Sequence, residues 1–419
     1  MVTAIAVWRG NHMRKVVLVS LDAFFIADTE HPDPDGFLTR MMQEGSFCRR
    51  VETIFPALTY PIHVTMVTGC DPDKTGVGQN QPPQPGIPKA ERVWYWERKH
   101  IQVPTLFEAV RKNGGQSCSI LWPVNCRNRA VRWCFPEVHP LKNENPVLKA
   151  LRYGSPMYLL AGEKRFGHLR KGIREPYLSD YAAALAADTI RKHKPDFTAL
   201  HLIDLDEARH HHGTFSREAL EAIRRNDNRL ADLHRAITET PGMEDALLIA
   251  VSDHGQEDIR ETVNLTEKLR AYGLSKTLFV QSNGMSAYFF LTDSPSGPVR
   301  PEVLFSPEQL EEMKISRLYS RKDLDRMHAV KGPLFAAEAA EGVVFSDALD
   351  EEKREAATHG FGPGRDGDLC LFAVLGKGIR HGVEIPDMKM RDVGPTIAGL
   401  MGIRLPQTDG SDRSEAFLA

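Results

Sequence analysis

Residues 15–22 read K-V-V-L-V-S-L-D, a short run that is apolar almost throughout and ends on an acid. Three more runs share its character: F-T-A-L-H-L-I at 197–203, L-L-I-A-V-S at 247–252 and L-C-L-F-A-V-L at 369–375. A strand with one wet face alternates apolar and polar residues, whereas a strand covered on both faces does not. These four runs therefore predict a mostly parallel sheet sandwiched between helices. Helical spacing fills the intervals, with Leu178, Tyr181, Ala182, Leu185 and Ile190 recurring along 178–193. Ser216 is placed to cap a second helix that carries Leu220, Ile223, Leu230 and Leu233 on one side. Further helices are predicted over 104–112 and 391–401, and a strand over 117–122. This alternation predicts a doubly wound α/β fold.

Two stretches break the rhythm. Pro82, Pro83, Pro85 and Pro88 make most of 81–99 a loop. Residues 256–358 hold a strand-like run at 285–291 among polar segments, which predicts a smaller inserted subdomain. The expected organisation is an N-terminal extension over 1–14, a core over 15–255 and 359–419, and the insertion between its two parts. A second methionine, Met13, stands just before the first strand-like run.

The 419 residues are 42% hydrophobic and 26% charged, ordinary globular composition. Fifty-three Lys and Arg against fifty-six Asp and Glu give a net charge of -3, without the basic footprint of a nucleic-acid binder. No apolar run approaches the roughly 18 residues that would span a bilayer. The expected setting is soluble and cytoplasmic, without membrane or nucleic-acid scaffold, and the sequence sets no oligomeric state. The six cysteines form no C-x-x-C pair, so buried thiols are expected rather than a disulfide framework or a cysteine metal site.

Acids follow the strand ends: Asp22 after the first run, Asp204 and Asp206 after the second, Asp253 after the third. Asp after a strand commonly starts a turn. Yet ligand sites of open α/β sheets form beyond the carboxyl ends of the strands, and here histidines stand beside the acids. Asp206 and His210 lie four apart, one helical turn, while His254 adjoins Asp253 and His359 precedes the last run. Carboxylate with imidazole and no thiolate suits Zn²⁺ or a similar divalent ion. The run from His210 to His212 leaves the register open. Residues 51–69, V-E-T-I-F-P-A-L-T-Y-P-I-H-V-T-M-V-T-G, read as a strand, a bend at Pro56 and a helix opening near Thr59. Thr59 suits an N-cap there, and equally a nucleophile whose phosphoryl target meets the helix N-terminus.

Taken together these residues resemble the alkaline phosphatase superfamily, most closely its nucleotide pyrophosphatase/phosphodiesterase branch. The resemblance rests on L-D-A at Asp22, T-Y-P-I-H from Thr59 and T-G-C-D-P-D-K-T-G-V-G-Q-N ending at Asn80. It continues in D-E-A-R-H-H-H-G from Asp206, S-D-H-G from Ser252 and T-H-G-F around His359. It implies an alkaline-phosphatase-like fold and resolves the register to Asp206 and His210. It further implies two metal ions, Zn²⁺ or Mn²⁺, one held by Asp22, Thr59, Asp253 and His254 and the other by Asp206, His210 and His359. Thr59 would attack phosphorus and form a phospho-threonine that water then hydrolyses, on a small phosphodiester or nucleotide substrate. Asn80 and the backbone of Tyr60 would hold non-bridging oxygens. Tyr60 would stack on a base or else pack internally, and Trp94, Tyr95, Trp96 and Trp122 are candidate pocket walls. Ala23, Val124 and Phe361 depart from the family's usual glycine, glycine and tyrosine. Cys70 imitates a sulfatase signature, but ten residues before Gly69 stands Thr59. The alternative activity is a phosphomonoesterase or phosphonate hydrolase, which would need a further cation, with Lys74 and Arg127 as candidates.

Overall fold

A computed structural model describes residues 13–30, 33–141, 144–292, 301–348 and 355–419. Most of the expected N-terminal extension, residues 1–12, lies outside the described residues. Arg14 is already tied in, its backbone N–H donating to Met401 O.

The core is a nine-stranded sheet. Its order is Val383–Glu384, Ser46–Glu52, Leu369–Leu375, Leu247–Ser252, Val16–Leu21, Phe197–Leu202, Ser117–Ile120 and Val131–Phe135, with Met388–Lys389 also on Ser46–Glu52. The central strands are parallel, and Leu369–Leu375 runs antiparallel to both of its neighbours. Along the first strand Val16 and Leu18 enter one apolar cluster while Val17, Val19 and Leu21 enter another. Helices Thr59–Thr68 and Val393–Met401 cover the first face, and Tyr177–His193 and Arg217–Thr238 the second. Burial on both faces is the physical reason these runs do not alternate. The architecture is the doubly wound, mostly parallel α/β fold read from the sequence.

Local differences are small and have causes. Ser216 does cap its helix, its Oγ accepting from Ala219 N–H at 3.1 Å. Leu220, however, is 50% exposed, and Ala219 and Ala222 face the core instead. The strand predicted over 117–122 ends at Ile120, where Leu121 takes a φ of 53°. The proline-rich stretch holds only the short turns Lys89–Glu91 and Arg98–His100.

The inserted residues build a separate antiparallel sheet in the order Ile315–Tyr319, Phe335–Ala339, Ser286–Leu291 and Leu278–Ser282, with its own apolar cluster. Arg365 fastens it to the core, its guanidinium bonding Glu257 at 2.8 Å and Glu338 at 3.1 Å. Among the described residues no helix is long and apolar enough to cross a membrane.

Candidate active site

The site begins with strand register. Leu21 lies level with Leu202 on one side and Ser252 on the other. The residues that follow therefore leave the sheet together, and Asp22 and Asp253 emerge side by side, 2% and 0% exposed. Asp253 Oδ1 accepts from the backbone N–H of Ala23 at 3.0 Å and of His254 at 2.9 Å. Its Oδ2 has no hydrogen-bond partner, and neither has Asp22 Oδ1. Helix Thr59–Thr68 brings in the hydroxyl. Leu58, not Thr59, occupies the cap position, so Thr59 is the first helical residue. Its Oγ1 lies 3.2 Å from His254 Nε2.

Two donor groups of the expected residues result, and a third cluster, His63, His201 and Asp253, shares Asp253 with one of them. In one, atoms of Asp22, Asp253 and His254 all lie within 4.8 Å of one another, with Thr59 alongside. The other joins Asp206, His210 and His359, with Asp206 Oδ1 3.3 Å from His210 Nε2 and 4.0 Å from His359 Nε2. The two groups meet where the His254 and His359 rings stack, centroids 3.8 Å apart. Asp204, the competing register, is spent on structure, bonded by Arg225 and Arg229.

Both groups fit a divalent ion. Each histidine places Nδ1 near a backbone carbonyl, His210 at Ala357 (2.9 Å), His359 at Ala57 (2.9 Å) and His254 at Gly255 (3.3 Å). This leaves Nε2 turned into the cluster, the orientation a ligating imidazole needs. Burial, and for His254 also the His359 ring, holds His254 well below the usual histidine range. Burial likewise lowers His359, so both imidazoles are neutral and able to ligate. Burial and then the charges of Asp253 and Asp206 push the Asp22 carboxyl well above its usual range. Unpaired carboxylate oxygens crowded at a buried point mark a place for positive charge.

Four residues around the cluster escaped the sequence reading. His201 Nε2 lies 2.8 Å from Asp22 Oδ2. Its Nδ1 lies 3.1 Å from Leu121 O and 3.6 Å from Glu137 Oε2. Burial opposes a charged His201, but the bonds to Asp22 and Glu137 prevail and raise it well above its usual range. Burial would also raise Glu137, yet His139 and His201 bring it down to about 2. His63 packs 4.3 Å from the His201 ring and sets Nδ1 2.7 Å from Thr59 O. Burial lowers it to about 3, so it is neutral. Gln256 donates to both the backbone O and Oδ1 of Asp206. The signal for His201 was a lone histidine inside an otherwise apolar strand.

The expected substrate contacts divide. Asn80 stands beside the nucleophile, but its Oδ1 accepts the Tyr60 N–H at 3.0 Å. That N–H is thus committed to Asn80, and Asn80 Nδ2 is the group left for a phosphoryl oxygen. Tyr60 and Trp122 are each 1% exposed. Tyr60 packs edge-on against Trp94, and Trp122 edge-on against His63, so both pack internally rather than facing open space. Trp94 does line the adjoining cavity, whereas Trp96 is buried under Lys149. Tyr95 packs on His100. Lys74 pairs with Asp409, and Arg127 lies over Tyr153 and beside Glu97, so neither cation reaches the site. All six cysteines are buried and free.

A family model described as type I phosphodiesterase / nucleotide pyrophosphatase matches residues 16–361. The chain belongs to that family. Among relatives of this chain, human ectonucleotide pyrophosphatase/phosphodiesterase family member 1 is 21% identical over 229 residues, 52% of this chain and 21% of that protein. The mouse protein of the same name is 22% identical over 407 residues, 90% of this chain and 39% of its own length. The chain thus spans well under half of these curated relatives. Murine ectonucleotide pyrophosphatase/phosphodiesterase 5, solved as an inactive variant with AMP, superimposes with a TM-score of 0.71 at 16% identity. The match covers 97% of this chain and 100% of that one. The human counterpart gives 0.66 at 19% identity, covering 95% and 97%. These likenesses establish the alkaline-phosphatase-like fold.

Proposed function

We propose that this chain hydrolyses phosphodiester or pyrophosphate bonds of small, nucleotide-like molecules, with Thr59 as nucleophile and two divalent metal ions as cofactors, Zn²⁺ ahead of Mn²⁺. One observation carries the reading: a hydroxyl at a helix start, 3.2 Å from His254 Nε2, faces carboxylate oxygens with no partner of their own. Asp22, Thr59, Asp253 and His254 would hold one ion, and Asp206, His210 and His359 the other. Such ions, when bound, polarise phosphoryl oxygens and make a bound hydroxyl or water a competent nucleophile near neutral pH.

The chain's own residues do the rest. Thr59 Oγ1 loses its proton to solvent and bonds to phosphorus, while the bond to the leaving oxygen breaks on the opposite side and that oxygen departs with the electron pair and takes a proton from solvent. Asn80 Nδ2, fixed by the bond from Tyr60 N–H to its Oδ1, holds a non-bridging oxygen at the positive end of helix Thr59–Thr68. Water then displaces phosphorus from Thr59 and restores the hydroxyl. The monoesterase alternative requires a cation for the extra negative charge. Lys74 and Arg127, the two candidates for it, are tied elsewhere.

The test compares bis-p-nitrophenyl phosphate with p-nitrophenyl phosphate, with Zn²⁺ or Mn²⁺ added. Diester preference in the wild type, with a loss of about 10³-fold or more in Thr59→Ala, supports the reading. A monoester preference selects the alternative, and unchanged activity in Thr59→Ala removes Thr59 as nucleophile.

A further inference from the structure

A cavity of about 710 Å³ opens between the core and the inserted subdomain, reaching His210 and His359 on one side. Thr59 belongs to the other donor group, so in-line displacement sends the leaving oxygen away from Thr59 and toward this cavity. Two-metal sites divide the attacking and leaving oxygens in this manner. The cavity therefore receives the leaving group of whatever ester Thr59 attacks, an assignment that rests on the function proposed above.

Its lining is unusual in chemistry. Carboxamides recur, from the core (Gln79, Asn80, Gln81) and from the inserted subdomain (Asn264, Gln281, Asn283), although Asn264 is spent on Glu267 N–H and Ala348 O. Gln281 Nε2 lies 3.3 Å from Gln79 Oε1 and 3.2 Å from Gln81 O, which ties the two sides into one wall. Asn283 is 5% exposed and its Nδ2 has no hydrogen-bond partner. It sits in the turn before Ser286–Leu291, locked against the His359 loop. Met285 N–H donates to His359 O at 2.9 Å, and a Cβ on Gly284, whose φ is +75°, would fall 2.2 Å from that same oxygen. No excess of cations awaits an anion: Glu355 is paired with His210 Nδ1 at 3.2 Å, and Lys89 and Glu267 are the other charged side chains among the described lining residues, besides His359. A flat aromatic group finds little to stack on, because Tyr60 and Trp122 are closed off and Trp94 already packs against His139.

We infer that the cavity binds an uncharged, hydroxyl-rich leaving group of about hexose size, and that it disfavours a pyrophosphate leaving group. Carboxamides offer both donors and acceptors and so match hydroxyls. A pyrophosphate would bring several negative charges to a wall of neutral amides whose acids and bases balance. The volume falls within the range of small-molecule sites.

Three substrates sharing one retained arm test this, each a derivative of AMP at phosphorus: the ester with the 6-hydroxyl of glucose, the anhydride with pyrophosphate (ATP) and the ester with p-nitrophenol. AMP release is measured for all three, and comparing each variant with wild type cancels the intrinsic reactivity of the leaving groups. Asn283→Asp, close in shape but lacking the donor, is expected to lower kcat/KM for the glucose ester at least tenfold more than for the p-nitrophenyl ester. Glu267→Lys, an exposed position, is expected to raise kcat/KM for ATP at least tenfold relative to the p-nitrophenyl ester. Thermal unfolding confirms that both variants are folded. Cleavage of the p-nitrophenyl ester with neither ratio moved overturns the inference while leaving the phosphodiesterase reading intact. No cleavage of any of the three by wild type overturns that reading, and the inference with it.

Discussion

At the scale of single residues, His201 decides how Asp22 is presented. Its Nε2 occupies Asp22 Oδ2, which leaves Oδ1 as the oxygen turned toward His254 Nε2 at 3.6 Å. Removing such an outer partner costs roughly 10–100-fold in metal affinity. His201→Leu is therefore expected to weaken Zn²⁺ binding by about that factor in a chelator competition, with Thr59 untouched. Equal affinity in variant and wild type would reduce His201 to packing. Two departures from the family pattern also acquire a physical meaning at this scale. Ala23 and Val124, where the resemblance led one to expect glycine, have φ angles of 62° and 54°. The backbone is left-handed there, a region that side chains tolerate at roughly 1–2 kcal/mol. The proposed ligands were legible in the sequence because most of them follow a strand or open a helix, and His210 stands one helical turn beyond Asp206. Glu137 and His201 were not, because a contact between a strand interior and a distant loop leaves no periodic trace.

At the scale of elements, helix starts do much of the positioning. Helix Thr59–Thr68 enters without a side-chain cap, which frees the Thr59 hydroxyl for His254. The capping role that suited Thr59 on sequence alone belongs to the backbone position of Leu58, a one-residue shift that local pattern does not resolve. Arg217–Thr238 has a true cap in Ser216, so Ser216→Ala should cost about 1 kcal/mol in urea unfolding. Its apolar stripe turned out narrower than the leucines suggested, since small alanines pack closest to the sheet. Tyr177–His193 carries a pH dependence at its start. Glu175 accepts from Ser179 N–H at 3.1 Å, and burial lifts its carboxyl from an ordinary 4.5 to about 7. The folded chain holds this proton more tightly than the unfolded chain. The stability it contributes is thus present below about 4.5 and lost as pH rises through about 7. Glu175→Gln should raise Tm clearly at pH 8 and much less at pH 5; an equal change at both would contradict the assignment.

At the scale of the whole molecule, sheet register assembles the site. Level strand ends deliver Asp22 and Asp253 to one edge, and the inserted subdomain closes over the side where His210 and His359 stand. The four apolar runs revealed the sheet and its carboxyl edge, but not the cavity, whose walls come from segments about 200 residues apart and joined only by folding. Buried carboxylate oxygens without a hydrogen-bond partner would make the bare chain less stable than the metal-bound form proposed here. Chelation should lower Tm by at least about 5 °C, and Zn²⁺ or Mn²⁺ should restore it; a Tm indifferent to chelator would argue against both sites. The central claim is the covalent role of Thr59. It is tested most directly by acid-quenching the enzyme during turnover of bis-p-nitrophenyl phosphate and mapping the adduct by peptide mass spectrometry. The account predicts a p-nitrophenylphosphoryl group on Thr59, absent from Thr59→Ala. An adduct on another residue, or turnover with none at any quench time, would contradict it.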